Sequence, residues 1–228
     1  MTRENAQSQN HKLSMNKIKP VGKTGNIGIF FGSFNPITSG HIHVGVASVE
    51  AKSDGVSLDE LWFCVSPHNP HKWKKGLLAL ENHRWDMVEK AIEELGNPNV
   101  HATNVEFFQE TKPSFTHHTL QELQEDNPDA QLFIVCGTDT HHKIQIWRSG
   151  KWIHKTFKFW VFPRDGKHKP ATNEILHSNS YYLDAITTEA SSTAIRDAIR
   201  DGNSIDDMAP KSVVDYIEEH GAYDFVKK

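Results

Sequence analysis

Six short apolar runs alternate along the chain with segments whose apolar residues recur at helical spacing. The runs are Ile27–Phe31, Leu58–Val65, one within Val100–Phe108, Gln131–Cys136, Phe157–Phe162 and Tyr181–Ile186. Near-continuous apolar runs are typical of strands that are buried on both faces of a parallel sheet. Because strands alternate with helices, the pattern predicts an α/β fold with a doubly wound, mainly parallel sheet.

Residues 1–25 differ from the rest of the chain, since they are polar and show almost no apolar periodicity. They predict a flexible N-terminal tail. Residues 26–228 are predicted to form a single domain, which is an ordinary size for one hydrophobic core.

Three local expectations follow from side-chain spacing. Ile42, Val46 and Val49 are predicted to lie on one face of the first helix. Ser114 or Thr116 is predicted to cap the helix that follows the third strand. Trp152 is predicted to lie in the core.

The loop after the first strand is the most informative stretch. Gly32 and Ser33 interrupt the apolar run, Pro36 favours a turn, and a helical pattern begins after Gly40. A strand, a loop of small residues and a helix N-terminus present backbone N–H groups and the positive end of the helix dipole to an anion. His41, at the start of that helix, adds another donor. The loop therefore predicts a phosphate site, although similar glycine turns also occur without a ligand.

Other candidate ligands follow predicted strands or open predicted helices. Lys72 lies in the loop after the second strand, and Arg84 lies near a helix start, where a cation opposes the helix dipole. Asp139 follows the fourth strand, at the edge where open α/β sheets bind ligands. Ser191–Arg196 combines hydroxyls with a guanidinium one turn later, which suits either a plain helix cap or a second phosphate site.

Composition excludes several functions. The 228 residues carry a formal net charge of -4, which gives no electrostatic basis for a nucleic-acid or membrane-surface partner. No apolar stretch reaches the roughly 20 residues of a membrane helix. Cys64 and Cys136 lie in apolar runs and are expected to be buried thiols in the reducing cytoplasm. The 15 histidines are scattered without zinc-ligand spacing, so no metal site made of protein residues is expected.

Five separated strings resemble the nicotinate/nicotinamide-nucleotide adenylyltransferases, which belong to the nucleotidyltransferases with a (His/Thr)-x-Gly-His motif. The strings are GSFNPITSGH (32–41), NPHK (69–72), PSFT (113–116), GTD (137–139) with Trp147, and SSTAIR (191–196). They keep the family's order between Ile27 and Phe225, and the resemblance implies a Rossmann-like nucleotidyltransferase fold. Thr38 stands where bacterial nicotinate-nucleotide enzymes usually have His, and Asn35 where they usually have Asp. The choice between nicotinate and nicotinamide therefore stays open.

The resemblance implies transfer of AMP from ATP to a pyridine mononucleotide in NAD biosynthesis, with release of pyrophosphate. The nucleophile is an ionised phosphate oxygen, so catalysis reduces to alignment and charge neutralisation. The implied catalytic residues are His41, Thr38 and Arg196. The implied ATP contacts are Gly32, Ser33, Phe34, Gly40, Ser191, Ser192 and Thr193; the implied mononucleotide contacts are Lys72, Arg84, Thr116, Gly137, Asp139, Trp147 and Arg164. Mg²⁺ is expected to bind mainly through the ATP phosphates.

Two other functions remain open. One is a pantetheine-phosphate adenylyltransferase or a cytidylyltransferase, which Trp147 after Gly-Thr-Asp disfavours. The other is a nucleotide-sensing module without turnover, which two separate phosphate sites disfavour. Self-association into a homo-oligomer also stays open.

Overall fold

Six parallel strands form one sheet, in the order β3-β2-β1-β4-β5-β6. They are β1 (Gly25–Gly32), β2 (Glu60–Val65), β3 (Val100–Thr103), β4 (Ala130–Gly137), β5 (Lys158–Phe162) and β6 (Ser180–Tyr182). The computed structural model describes residues 15–69, 78–163, 179–183 and 190–227. The predicted doubly wound parallel sheet is confirmed.

Helices cover both faces of this sheet. They are α1 (Ser39–Glu50), α2 (Glu81–Leu95), α3 (Thr116–Asp126), α4 (Thr138–His141), α5 (Gly150–Thr156), α6 (Ser192–Asp201) and α7 (Lys211–His220), with short 3₁₀ helices at Val105–Phe108, Ile144–Ile146 and Asp224–Lys227. Side chains alternate across a strand, so Phe30 packs into the cluster that includes α1, α2, α6 and α7. Ile29 packs into the opposite cluster, which includes α3 and α5.

The strand order reverses between β1 and β4. Both strands end at the same edge, where Gly32 pairs with Val65 of β2 and Gly137 pairs with Phe162 of β5. Connections leave these two strands in opposite directions, which opens a crevice at the carboxyl edge of the sheet. The loops that follow β1 and β4 therefore lie at the place where such sheets bind ligands.

The most deeply buried residues of α1 lie beside its predicted apolar face. Val44, Gly45 and Ser48 are buried, whereas Ile42, Val46 and Val49 are partly buried, and Ile42 and Val49 pack against the core. The reason is close packing: a Cβ atom at position 45 would lie 2.8 Å from the ring of Phe63. Glycine lets the helix approach the sheet here.

Two local predictions were wrong. Phe115 is the N-cap of α3 and has no side-chain cap bond, because the Ser114 side chain is buried beside Glu106 instead. Trp152 is 38% exposed, and its neighbour Ile153 fills the core. This one-residue error arises because α5 is only 7 residues long, too short for a clear apolar period.

The segment just before β1 lies against the domain, although composition predicts a flexible tail up to residue 25. Asn104 accepts a hydrogen bond from the Ile18 N–H (2.7 Å), and Asn127 accepts one from the Lys23 N–H (2.8 Å). Lys19 forms ion pairs with Glu122 and Asp126. Buried asparagines on distant elements hold this segment, which composition alone does not reveal. Within the described ranges, no helix combines the length and apolar character needed to cross a bilayer.

Candidate active site

The loop between β1 and α1 has a constrained backbone. Phe34 has φ +41°, in the left-handed region that bulky residues rarely adopt. Its ring packs against Phe30 (5.9 Å between centroids) and Phe63 (5.5 Å), which offsets the strain. A Cβ atom on residue 32 would lie 2.5 Å from the Phe34 ring, so Gly32 is required by this packing.

The start of α1 is closed by a reciprocal cap between Thr38 and His41. The Thr38 hydroxyl accepts the His41 N–H (3.2 Å), and His41 Nδ1 accepts the Thr38 N–H (3.1 Å). A backbone N–H can only donate, so Nδ1 must carry a lone pair and the neutral ring carries its proton on Nε2. The cap therefore fixes His41 as a donor through Nε2. Gly40 is the second residue of α1.

Arg84 is a buried clamp, which corrects its predicted role as a ligand of the mononucleotide phosphate. Its side chain is 1% exposed. It donates to the carbonyls of Ala79 (3.0 Å), Ser33 (2.8 Å), Ser66 (2.8 Å) and Pro67 (2.7 Å). Burial lowers its pKa to about 10, so it stays protonated at neutral pH. Arg84 ties the loop after β1 to the loop after β2.

Asn35 is held from two directions. Its Oδ1 accepts the Ala79 N–H (2.9 Å) and the Tyr223 hydroxyl (3.0 Å). Tyr223 lies after α7 and is fully buried, and burial raises the pKa of its phenol, so the hydroxyl remains a donor. The C-terminal part of the chain therefore buttresses the loop, a contact that sequence analysis missed.

The start of α6 meets the same loop. Ser191 caps the helix by accepting the Ala194 N–H (3.1 Å), as the cap interpretation of this segment predicts. The Ser192 hydroxyl donates to the Pro36 carbonyl (2.7 Å). Arg196 donates from Nη1 to the Asn35 carbonyl (2.7 Å) and the Ser192 carbonyl (3.0 Å), and from Nη2 to the Thr193 hydroxyl (3.2 Å). These bonds use three of the five guanidinium N–H groups, which leaves donor capacity for a phosphate.

His41 and Arg196, the two candidate phosphate donors, thus converge on one loop. His41 contacts Thr38, and Arg196 contacts Asn35, three residues earlier. The carbonyls of Ser33 and Pro36 accept bonds from Arg84 and Ser192. In a planar trans peptide the next N–H points the opposite way, so the N–H groups of residues 34 and 37 are directed away from these donors.

The residues predicted for the mononucleotide are only partly described. Gly137 ends β4, Asp139 lies in α4, and Thr116 opens α3. Trp147 follows the 3₁₀ helix Ile144–Ile146 and packs partly buried against the core. The Arg148 guanidinium lies 4.5 Å from the Phe115 ring centroid, so it joins the Trp147 segment to the start of α3. Lys72 and Arg164 lie outside the described residues.

A buried carboxyl lies against α3, the helix that begins at the predicted mononucleotide contact Thr116. Glu106 is 3% exposed and accepts a bond from the Thr119 hydroxyl (3.0 Å). Burial raises its pKa and outweighs the nearby Ser66, Thr119 and Ser114 side chains, which favour the charged form. Sequence analysis missed Glu106, because one acid inside an apolar stretch has no recognisable spacing.

The donors around the loop suit an anion and do not suit a metal ion. Among the described residues, no group of three or more His, Cys, Asp or Glu side chains could hold a metal. Two helix N-termini, a His Nε2–H and a guanidinium are phosphate ligands by chemistry.

A parallel sheet with this strand order and two helix N-termini at one carboxyl-edge loop defines a nucleotide-binding α/β protein of the nucleotidyltransferase class. The profile of the cytidylyltransferase-like family matches residues 29–198. A probable nicotinate-nucleotide adenylyltransferase from Christiangramia forsetii is 33% identical over 86% of this chain and 97% of its own length. A probable nicotinate-nucleotide adenylyltransferase from Cytophaga hutchinsonii is 35% identical over 84% of this chain and 94% of its own length. The chain belongs to the nicotinate-nucleotide adenylyltransferase family.

Solved structures share the fold. Plasmodium falciparum nicotinic acid mononucleotide adenylyltransferase, complexed with NaAD, has a TM-score of 0.72 and 22% identity, over 88% of this chain and 98% of that one. The predicted family, fold and class of enzyme are therefore confirmed.

Proposed function

We propose that this chain transfers AMP from ATP to nicotinate mononucleotide, yielding the dinucleotide and pyrophosphate in NAD biosynthesis. The observation that carries the proposal is the single loop, residues 32–38, clamped between the starts of α1 and α6 with His41 and Arg196 both bonded to it. Membership of the nicotinate-nucleotide adenylyltransferase family supports nicotinate as the substrate.

In the proposed reaction a phosphate oxygen of the mononucleotide attacks the α-phosphorus of ATP. That oxygen–phosphorus bond forms, the bond from the α-phosphorus to the bridging oxygen breaks, and pyrophosphate leaves with the electron pair. No proton has to be removed from the nucleophile, so the protein aligns the two substrates and neutralises charge.

The loop and α1 form one half of the proposed ATP site. The N–H groups of Phe34 and Ile37, which point away from the clamping donors, would receive phosphate oxygens. His41 would donate from Nε2 to the same triphosphate, and Thr38 would hold the imidazole in that tautomer. Gly32, Ser33 and Gly40 would allow the phosphates to approach the backbone.

The start of α6 forms the other half. Arg196 would neutralise the β and γ phosphates with its remaining N–H groups, and the helix N-terminus at Ser191 and Thr193 adds the positive end of the dipole. Ser192 is bonded to Pro36 and would act by positioning the loop. Mg²⁺ would enter with ATP, held by phosphate oxygens and water, and would supply additional charge neutralisation.

For the mononucleotide, we propose that Trp147 stacks on the pyridine ring, Thr116 lines the ring pocket, and Gly137 and Asp139 face the ribose. Lys72 remains a predicted contact of the mononucleotide phosphate, and Arg164 remains a predicted mononucleotide contact. The buried thiols Cys64 and Cys136, which are not paired with each other, support a reaction in the reducing cytoplasm.

The experiment is an assay of pyrophosphate release with ATP and each of three acceptors: nicotinate mononucleotide, nicotinamide mononucleotide and pantetheine phosphate. We expect turnover with nicotinate mononucleotide, and a parallel assay with CTP should show none. Turnover with pantetheine phosphate or CTP alone would assign a different nucleotidyltransferase. ATP binding without any turnover would indicate a sensing module.

A further inference from the structure

Arg148 is a cation held at the edge of the proposed pyridine pocket. It directly follows Trp147, and its guanidinium carbon lies 4.5 Å from the centroid of the Phe115 ring. A cation at this distance over an aromatic face is attracted by the ring quadrupole. The contact gives an exposed, flexible side chain a preferred position beside two residues of the proposed pocket, Trp147 and Thr116.

The first turn of α3, beside Phe115, holds no carboxylate that would offset the charge of Arg148. Phe115 is the N-cap of α3, which has no side-chain cap bond and no acidic residue in its first turn. His117 and His118 lie in that turn, and Lys112 and Glu110 lie on the segment before it. Burial, then His118 and Arg148, lower the pKa of His117, so it is neutral at neutral pH. The permanent charge facing Phe115 from the Trp147 side is therefore that of Arg148.

A cation at this position distinguishes the two pyridine mononucleotides. They share ribose, phosphate and ring, and differ in that one ring bears a carboxylate and the other a neutral carboxamide. We propose that Arg148 is the residue that makes this site prefer the carboxylate, and so selects nicotinate over nicotinamide mononucleotide. This inference rests on the proposed function, because Trp147 and Thr116 define the ring pocket.

The test compares Arg148→Gln and Arg148→Lys with the matched control Lys151→Gln, which removes an exposed positive charge nearby on α5. We measure kcat/KM and equilibrium Kd for both mononucleotides, at low and high salt. For Arg148→Gln we expect kcat/KM for nicotinate mononucleotide to fall about fivefold to tenfold, mainly because KM and Kd rise. This is the size expected for the loss of one partly exposed charge pair. Nicotinamide mononucleotide should change by less than about twofold.

Arg148→Lys should keep part of the preference for nicotinate over nicotinamide mononucleotide, and Lys151→Gln should keep all of it. High salt should reduce the preference of the wild type, because exposed charge pairs are screened. Equal losses with both mononucleotides, or an unchanged ratio of their Kd values, would overturn the inference. The Kd ratio does not require turnover, so an absence of pyrophosphate release would refute the proposed function while the binding data still decide the role of Arg148.

Discussion

Replacement of Arg84 by Met tests whether this buried guanidinium is a structural clamp. The change removes the donor to four carbonyl oxygens on three segments, which have no other donor among the residues that the structure describes: Ser33, Ser66, Pro67 and Ala79. Each buried acceptor that loses its donor costs roughly 1–3 kcal/mol. Release of the buried cation returns part of this cost, so we expect a net loss of about 2–4 kcal/mol in the free energy of unfolding.

The assay is urea denaturation followed by tryptophan fluorescence and circular dichroism. The expected loss in the free energy of unfolding is large compared with a typical domain stability of about 5–15 kcal/mol. The urea concentration at the unfolding midpoint should therefore fall clearly. Arg84→Lys should also be destabilised, because a compact ammonium cannot span both loops as a planar fork does. Arg200→Met is the matched control, since that side chain is 50% exposed and should change the midpoint little.

The alternative role of Arg84 makes an opposite prediction. If its guanidinium bound the phosphate of the mononucleotide, Arg84→Lys would keep the charge and Arg84→Met would raise KM for the mononucleotide with little effect on stability. Unchanged urea midpoints in both variants, with a selective rise in KM, would refute the clamp.

Three further predictions concern other parts of the site. His41→Ala should lower kcat by roughly 10²–10³-fold, as for one lost transition-state donor. Steady-state assays of a variant with unchanged circular dichroism measure this, and near-normal turnover would exclude His41 as a catalytic donor. Trp147→Ala should mainly raise KM for the pyridine mononucleotide, and an unchanged KM would exclude stacking. Burial raises the pKa of Glu106 above 4.5, so its folded state holds the proton more tightly than the unfolded chain. The free energy of unfolding of the wild type should therefore fall relative to that of Glu106→Gln as pH rises from 4.5 through the folded pKa, by at most about 1.4 kcal/mol per pH unit. Urea denaturation that gives the same pH dependence for both proteins would contradict this prediction.

The strands β1, β2, β4 and β5 were predictable because each holds a short apolar run bounded by polar or glycine-rich segments. Ile29 and Phe30 illustrate why: both are buried, one on each face of the sheet, so no alternation of polar residues obscures the run. The turn after β1 was predictable for a similar reason, since its glycines, proline and helix start are adjacent in sequence.

Contacts between distant segments were not predictable from the sequence. A cation near a helix start, such as Arg84, has the same local pattern whether it faces a ligand or buried carbonyls; only the fold brings residues 33 and 66 to it. Tyr223 is 188 residues away from Asn35 in sequence. For the same reason composition could not show that Asn104 and Asn127 hold the segment before β1.

The most direct test of the account measures whether His41 and Arg196 act on one triphosphate. kcat for pyrophosphate release is determined for the wild type, His41→Ala, Arg196→Ala and the double variant. We expect each single change to lower kcat roughly 10²–10³-fold, and the double variant to lose much less than the product of the two, with a coupling energy of about 1–3 kcal/mol. If the two losses multiply, the imidazole and the guanidinium act independently. That result would contradict the proposal that both hold one triphosphate at the shared loop.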